Sequence, residues 1–193
     1  TPPQKILLGF AVMILLGGVL LALPISSQNG ESTNFLDALF TATSATCVTG
    51  LVTLNTMEHW TWFGKGVILI LIQFGGLGYI TIITMAQMIV RKQISLKGRK
   101  DIQAAFNLEE IGGMVKFVKK IVFITLFFEL TGAMLLAIVF LTLGFPLWQA
   151  GLQGIFHSVS AFCNAGFDNL SSSSLEPYRD NVWLTGIIMA LIV

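Results

Sequence analysis

Charge is scarce in this chain: Asp, Glu, Lys and Arg make up 11% of its 193 residues, against about 25% in an ordinary soluble domain. With 54% apolar residues and a mean hydropathy of +0.81, the composition points to lipid as the solvent. A net charge of +1 leaves no basic surplus to attract nucleic acid. Histidine and cysteine are limited to two residues each. No Cys, His or Asp stands at ligand spacing from His157, so a structural metal site is not expected. An enzyme within the membrane would need paired catalytic groups. His157 and Glu129 are the only candidates, and no second motif supports them. Spacing alone would allow a disulfide between Cys47 and Cys163, but both lie in short apolar segments rather than exposed loops. A cleavable leader is not evident either: the apolar run after Lys5 is long enough to span, and Pro24-Ile25-Ser26 is a poor cleavage context.

The few charges are arranged asymmetrically. Eight of the eleven Lys and Arg fall between Arg91 and Lys120, while Glu31–Glu58 and Asp168–Asp180 carry mostly acids. Basic residues accumulate in cytoplasmic loops, so residues 91–120 should face the cytoplasm and the acidic intervals the outside. Ile6–Leu23 approaches the roughly 20 residues needed to cross a bilayer. Pro24 and a polar run end it. The apolar stretch Phe35–Thr46 is too short to cross and reads as a re-entrant helix, with Asn34 as N-cap and Asp37 in the first turn. A long helix is expected from Trp60 to Val90. Trp60 and Trp62 suit its outer end, His59 a solvated place beside them, and Arg91-Lys92 the inner end. Gly75, Gly76 and Gly78 within it serve either close packing or a hinge. Residues 92–115, basic with Ile102, Ala105, Phe106 and Ile111 interspersed, read as a connector at the inner interface. A third span covers Phe117–Leu143, a second short segment Leu147–Phe162, and a further helix starts near Val182. The chain stops inside that helix, which suggests a fragment of a longer protein. The expected organisation is therefore 1–91, a connector 92–115, and 116–193.

The two short segments match each other. Residues 36–51 laid on 152–167, at an offset of 116, give six identities: Leu36/Leu152, Phe40/Phe156, Ser44/Ser160, Ala45/Ala161, Cys47/Cys163 and Gly50/Gly166. Gly66 aligns with Gly186 once four residues are inserted. Both segments enter from the outer side, so the repeat is parallel. One such segment alone would equally be a kinked interfacial helix with a glycine C-cap. Two in register favour a pore. Non-helical backbone at membrane depth survives where it is buried in protein or lines water, and carbonyls there can replace the hydration shell of a desolvated cation. Glycine supplies φ > 0 at little steric cost.

Other polar residues are ambiguous. His157, which matches Thr41, reads as packed or hydrogen-bonded. Glu129 within the third span either meets a basic residue elsewhere or is hydrogen-bonded within the bundle. Asp168 and Asn169 either raise cation concentration at a mouth or belong to a solvated loop.

Ser44-Ala45-Thr46-Cys47-Val48-Thr49-Gly50-Leu51 resembles the first selectivity filter of the Trk/Ktr/HKT potassium transporter superfamily. Gln73-Phe74-Gly75-Gly76-Leu77-Gly78-Tyr79 resembles its glycine-rich second helix, and Ser160-Ala161-Phe162-Cys163-Asn164-Ala165-Gly166-Phe167 its second filter. Thr1-Pro2-Pro3-Gln4 before the first span is similar to the start of KtrB-type subunits. The resemblance covers essentially the whole chain. It departs at Cys47, where Thr or Ser is usual, but a backbone oxygen does the coordinating. It implies an all-α membrane fold of helix–pore-loop–helix units, four per chain around a central pore. The ion-binding residues would be Thr46, Cys47, Val48, Thr49 and Gly50 with Phe162, Cys163, Asn164, Ala165 and Gly166. The resemblance further implies K⁺ as the transported ion, Na⁺ as a coupling ion, homodimerisation, a cytoplasmic nucleotide-binding regulatory ring, and the bacterial plasma membrane. The alternative is a two-repeat potassium channel completed by dimerisation, against which the lack of a Thr-Val-Gly-Tyr-Gly run counts. The charge pattern makes its own prediction: cysteines introduced at Gln103 and Ser172 will react with impermeant reagents from opposite sides of the membrane. Labelling from one side would break the topology.

Overall fold

The computed structural model describes residues 2–78, 81, 114–171 and 173–192. Among them the chain is helical, and the one β-type contact is an isolated bridge between Ser27 and Trp60. The main helices are α1 (Pro2–Ala22), α2 (Phe35–Thr46), α3 (Thr56–His59), α4 (Trp62–Leu77), α5 (Met114–Thr142), α6 (Leu147–Phe162) and α7 (Val182–Ile192). Within α5, Lys116–Thr142 is long and apolar enough to cross a membrane. Ile6–Ala22, Trp62–Leu77 and Val182–Ile192 are shorter apolar helices. The expected connector 92–115 lies outside the described residues up to Met114, where α5 begins.

Helix α2 starts where the sequence places it: the Asn34 side chain accepts from Leu36 N at 2.9 Å, and Asp37 sits in the first turn against the positive end of the helix. Its threonines hide their hydroxyls by bonding backward, Thr41 to Asp37 O and Thr46 to Ala42 O, which suits an apolar surround. At the outer end, the segment after α1 is stitched to the start of α4. Thr61 Oγ1 donates to Ile25 O at 2.7 Å, Thr61 N to Ser26 O, and the Gln28 amide to Met57 O. Trp60 is consequently buried rather than set at an interface. His59 is only partly exposed. It meets Thr33 Oγ1 at 2.8 Å and stands edge-on to Trp60. Burial holds its pKa below the usual histidine range, opposed by the Asp37 carboxylate.

The second half repeats the first in detail. Thr61 Oγ1 accepts from Gly64 N, and Asn181 Oδ1 from Leu184 N: the same N-cap, 120 positions apart, opens α4 and α7. The repeat is not two independent bodies. Phe156 on α6 and Ala165 and Phe167 beyond it complete the core formed by Leu21, Ala42, Ala45, Trp60, Ile68 and Ile72. A second core gathers Leu136 and Phe140 of α5, Ala150 of α6, Leu170, and Leu184 of α7. The opposite faces of α1 and α5 are apolar and exposed, with Leu7, Leu16, Phe123 and Leu130 each more than half accessible. Faces of this kind belong against lipid or protein rather than water.

One helix boundary differs from expectation. The helix expected to run from Trp60 to Val90 stops at Leu77, because Gly78 adopts φ +75° and its N–H returns to Gly75 O. That left-handed residue, open to glycine at no Cβ cost, ends the helix. Thr81 N bonds Gly78 O; the remainder of the expected span lies outside the described residues.

Helices α5 and α6 can approach as they do because of Gly154. A Cβ there would fall 2.5 Å from Ala133 O and 3.0 Å from Ala137 N. Gly151, three residues earlier, faces open space. Gly154→Ala should therefore destabilise the protein by about 1–3 kcal/mol through overpacking, while Gly151→Ala should stabilise by roughly 0.5–1 kcal/mol through helix propensity. Thermal unfolding of the two purified variants checks this.

Candidate functional site

Helices α2 and α6 end in the same way. The C-caps are Cys47 (φ −88°, ψ 1°) and Cys163 (φ −77°, ψ −2°). Three successive N–H groups then fold back onto the helix in identical register. Cys47 N donates to Thr43 O, Val48 N to Ala45 O and Thr49 N to Ser44 O. In the second loop Cys163 N donates to Val159 O, Asn164 N to Ala161 O and Ala165 N to Ser160 O. Next, φ alternates in sign: positive at Val48 (57°), negative at Thr49 and positive at Gly50 (72°), matched by Asn164 (56°), Ala165 and Gly166 (71°).

This backbone uses the first three N–H groups of each loop and leaves its carbonyls. Among the described residues, no N–H donates to the carbonyls of Thr46, Cys47, Val48, Thr49 and Gly50, or to those of Phe162, Cys163, Asn164, Ala165 and Gly166. Thr46 and Ala165 are buried and the other eight residues are half-buried or exposed, so most of these oxygens are open to a ligand or to solvent. Their orientations differ: the Thr46 carbonyl packs directly on Gly75 of α4, and the Ala165 carbonyl lies toward the first loop.

The two loops meet. A Cβ at Gly50 would stand 2.7 Å from Ala165 O and 3.1 Å from Gly166 Cα, and one at Gly166 would stand 3.5 Å from Gly50 Cα. Glycine is thus required at position 50 twice, by its φ and by the approach of the other loop. Helix α4 backs both loops. Gly75 lies against Thr46 O, and a Cβ at Gly76 would fall 2.5 Å from Cys163 Sγ. Of the two roles open to these glycines, close packing is the one the contacts support at Gly75 and Gly76.

The side chains behind the loops differ between halves. Ser44 Oγ accepts from Thr49 Oγ1 at 2.9 Å, whereas Ser160 Oγ donates to Phe167 O. Thr41 and His157, equivalent by sequence, both bond the carbonyl four residues back, Asp37 O and Gln153 O. The imidazole reaches further: Asn169 N donates to Nε2, and Gln153 and Asn169 exchange two hydrogen bonds. With Nε2 accepting and Nδ1 donating, neutral His157 is satisfied, so it is a buried structural residue and not a ligand. Asn169 is fully buried in this network and does not reach a mouth. Asp168 remains half-buried; its Oδ2 accepts from Ser174 Oγ at 2.6 Å. A cavity of about 200 Å³ beside it is lined by Ser160, Asn164, Gly166, Asp168 and Ile188. Both cysteines are free thiols.

Sequence reasoning missed the left-handed backbone at Val48 and Asn164. Asn tolerates that region, but nothing in a β-branched valine signals it. It also missed the Gln153–His157–Asn169 network, whose members are far apart in the chain.

Comparison with known proteins identifies the family. The TrkH profile, described as a cation transport protein, matches residues 10–193. The potassium/sodium uptake protein NtpJ of Enterococcus hirae is 47% identical across the whole chain, which covers 42% of that protein. The Ktr system potassium uptake protein B of Bacillus subtilis is 44% identical over 92% of the chain and 40% of its own length. The Ktr system potassium uptake protein D of the same organism is 35% identical across the whole chain and 43% of its own length. The chain thus spans about two fifths of the curated relatives it matches. Its family comprises transporters rather than enzymes, and with the profile covering nearly all of it the chain belongs to the TrkH family of cation transport proteins.

Proposed function

We propose that this chain supplies two pore-forming units of a potassium uptake transporter, in which Thr46–Gly50 and Phe162–Gly166 form half of a selectivity filter. The observation that carries the reading is the pair of loops with identical backbone register, unclaimed carbonyls and glycines in contact. Carbonyl dipoles can replace the hydration shell of an entering cation. Helices α2 and α6 both direct their negative C-terminal ends toward that point, which favours positive charge. In this reading the two short helices are re-entrant from the outer side of a bacterial plasma membrane, within units 1–91 and 116–193. The cargo is K⁺. Na⁺ is the second ion, in line with the name of the Enterococcus hirae relative. Further repeats elsewhere in the protein close the ring, a view favoured by the greater length of the relatives. Two copies assemble on a cytoplasmic nucleotide-binding ring, to which the basic connector 92–115 contributes.

The filter glycines test the reading. In the full-length transporter, Gly50→Ser and Gly166→Ser should each lower apparent K⁺ affinity about tenfold, equivalent to ~1.4 kcal/mol, and blunt discrimination against Na⁺. Gly30→Ser is the control, since Gly30 has the same φ of 71° in an outer loop with open space around it. It carries the same backbone strain and should leave uptake unchanged. Uptake kinetics over a K⁺ series decide; unchanged affinity in both loop variants would remove these segments as the filter. A separate expectation concerns the connector. Reversing charge at Arg99 and Lys100 should weaken co-purification of the ring and its nucleotide response, and full retention of both would count against docking there.

A further inference from the structure

Behind the second loop stands a buried carboxylate whose counterpart behind the first loop is apolar. Glu129 lies midway along α5 and is 5% exposed. Its Oε2 accepts from Gln73 Nε2 on α4 at 3.0 Å. Its Oε1 accepts from the thiol of Cys163, the first residue beyond α6, at 3.8 Å. Its own backbone carbonyl accepts from Ser158 Oγ on α6 at 2.7 Å. One residue thus joins α4, α5 and the start of the second loop.

The first half shows what is missing there. A Cβ on Gly17 would meet the Cβ of Ala42 at 3.3 Å, and one on Gly132 would meet Ser158 Oγ at 2.5 Å. Ala42 and Ser158 are partners at the offset of 116, so Gly17 and Gly132 occupy equivalent places. Three residues before each stand Ile14 and Glu129. Where Glu129 and Ser158 stand in the second half, Ile14 and Ala42 are their equivalents in the first, and the exposed Cys47 thiol makes no hydrogen bond among the described residues.

Cys163 is held from two sides. Gly76 leaves no room for a Cβ beside its Cβ and Sγ, and Glu129 Oε1 accepts a hydrogen bond from its thiol. Gln73 lies on the same helix, one turn before Gly76. A carboxylate with both oxygens engaged by groups on two other helices fixes their separation more tightly than apolar contact does, because hydrogen bonds are directional.

We propose that Glu129 is a positioning residue for the second loop: through Cys163 and Gln73 it sets where the Phe162–Gly166 backbone stands relative to α4. Among the described residues the first loop has no such tie, so the two loops are held differently. This inference rests on the filter reading above, and its consequence lies in ion affinity and selectivity rather than in folding alone.

Glu129→Gln and Glu129→Leu in the full-length transporter separate the possibilities. The amide retains an acceptor for one partner, and its N–H can donate to Gln73 Oε1, which is otherwise buried without a partner. The leucine retains neither. Glu129→Leu should lower apparent K⁺ affinity about tenfold, as loss of an outer-shell group that orients a ligand does, and should reduce K⁺ over Na⁺ discrimination. Glu129→Gln should restore both. Gln73→Leu, which cuts the tie from α4 without altering α5, should shift affinity in the same direction and serves if Glu129→Leu does not fold. If the leucine variants change only protein level or maximal rate, Glu129 is a packing group and the inference fails. If Glu129→Gln loses as much as Glu129→Leu, negative charge and not positioning is responsible, and the inference fails again. Gly166→Ser measured alongside tells which reading has failed. A normal affinity there sinks the filter itself, whereas a lowered affinity with unaffected Glu129 and Gln73 variants sinks only the present proposal.

Discussion

A backbone N–H without a partner is costly once it leaves water, and the ends of α2 and α6 share one answer to that constraint. Each helix turns its next three N–H groups back onto its own last carbonyls. Those three donors are consumed, and the oxygens beyond are left over among the described residues. Ordinary loops would bond those oxygens to water. Here they stand where two loops, 116 residues apart in sequence, come together at Gly50 and Gly166. The glycines, the left-handed residues and the helix α4 that backs both loops all serve to keep this arrangement while no donor claims the carbonyls.

The packing explains why the two halves form one unit. Phe156, Ala165 and Phe167 from the second half fill the core of the first, and α4 touches Thr46 on one side and Cys163 on the other. Neither loop could hold its conformation alone: the strain of a left-handed Val48 persists only where the surroundings over-determine it. Duplication of the backbone did not bring duplication of the polar supports. Thr41 makes one bond where His157 anchors a network, and Ile14 stands where Glu129 does. Near-identical main-chain geometry thus stands on different supports in the two halves.

Much of this was legible in the residues. The short segments Phe35–Thr46 and Leu147–Phe162, the Asn34 cap and the register of the repeat are local or pairwise properties, set by hydrophobic run length, capping chemistry and identity at a fixed offset. The glycines at 50 and 166 announced their own φ, because glycine alone adopts it at no Cβ cost. Membership of a cation-transporting family followed from the same motifs and is matched by the comparison over residues 10–193.

The tertiary structure decided what depends on distant neighbours. Gly78 ended the helix, a role that its glycine cluster allowed but did not fix. His59 and Trp60 were drawn inward by the stitching of Ser26, Gln28 and Thr61. Asn169 left the solvent for a network with Gln153 and His157. Glu129 found Gln73 and Cys163 within the bundle. A sequence states which groups need partners, since that is fixed by side-chain chemistry. Which partner each one meets is fixed by how the helices pack, and that is settled only when the whole chain has folded.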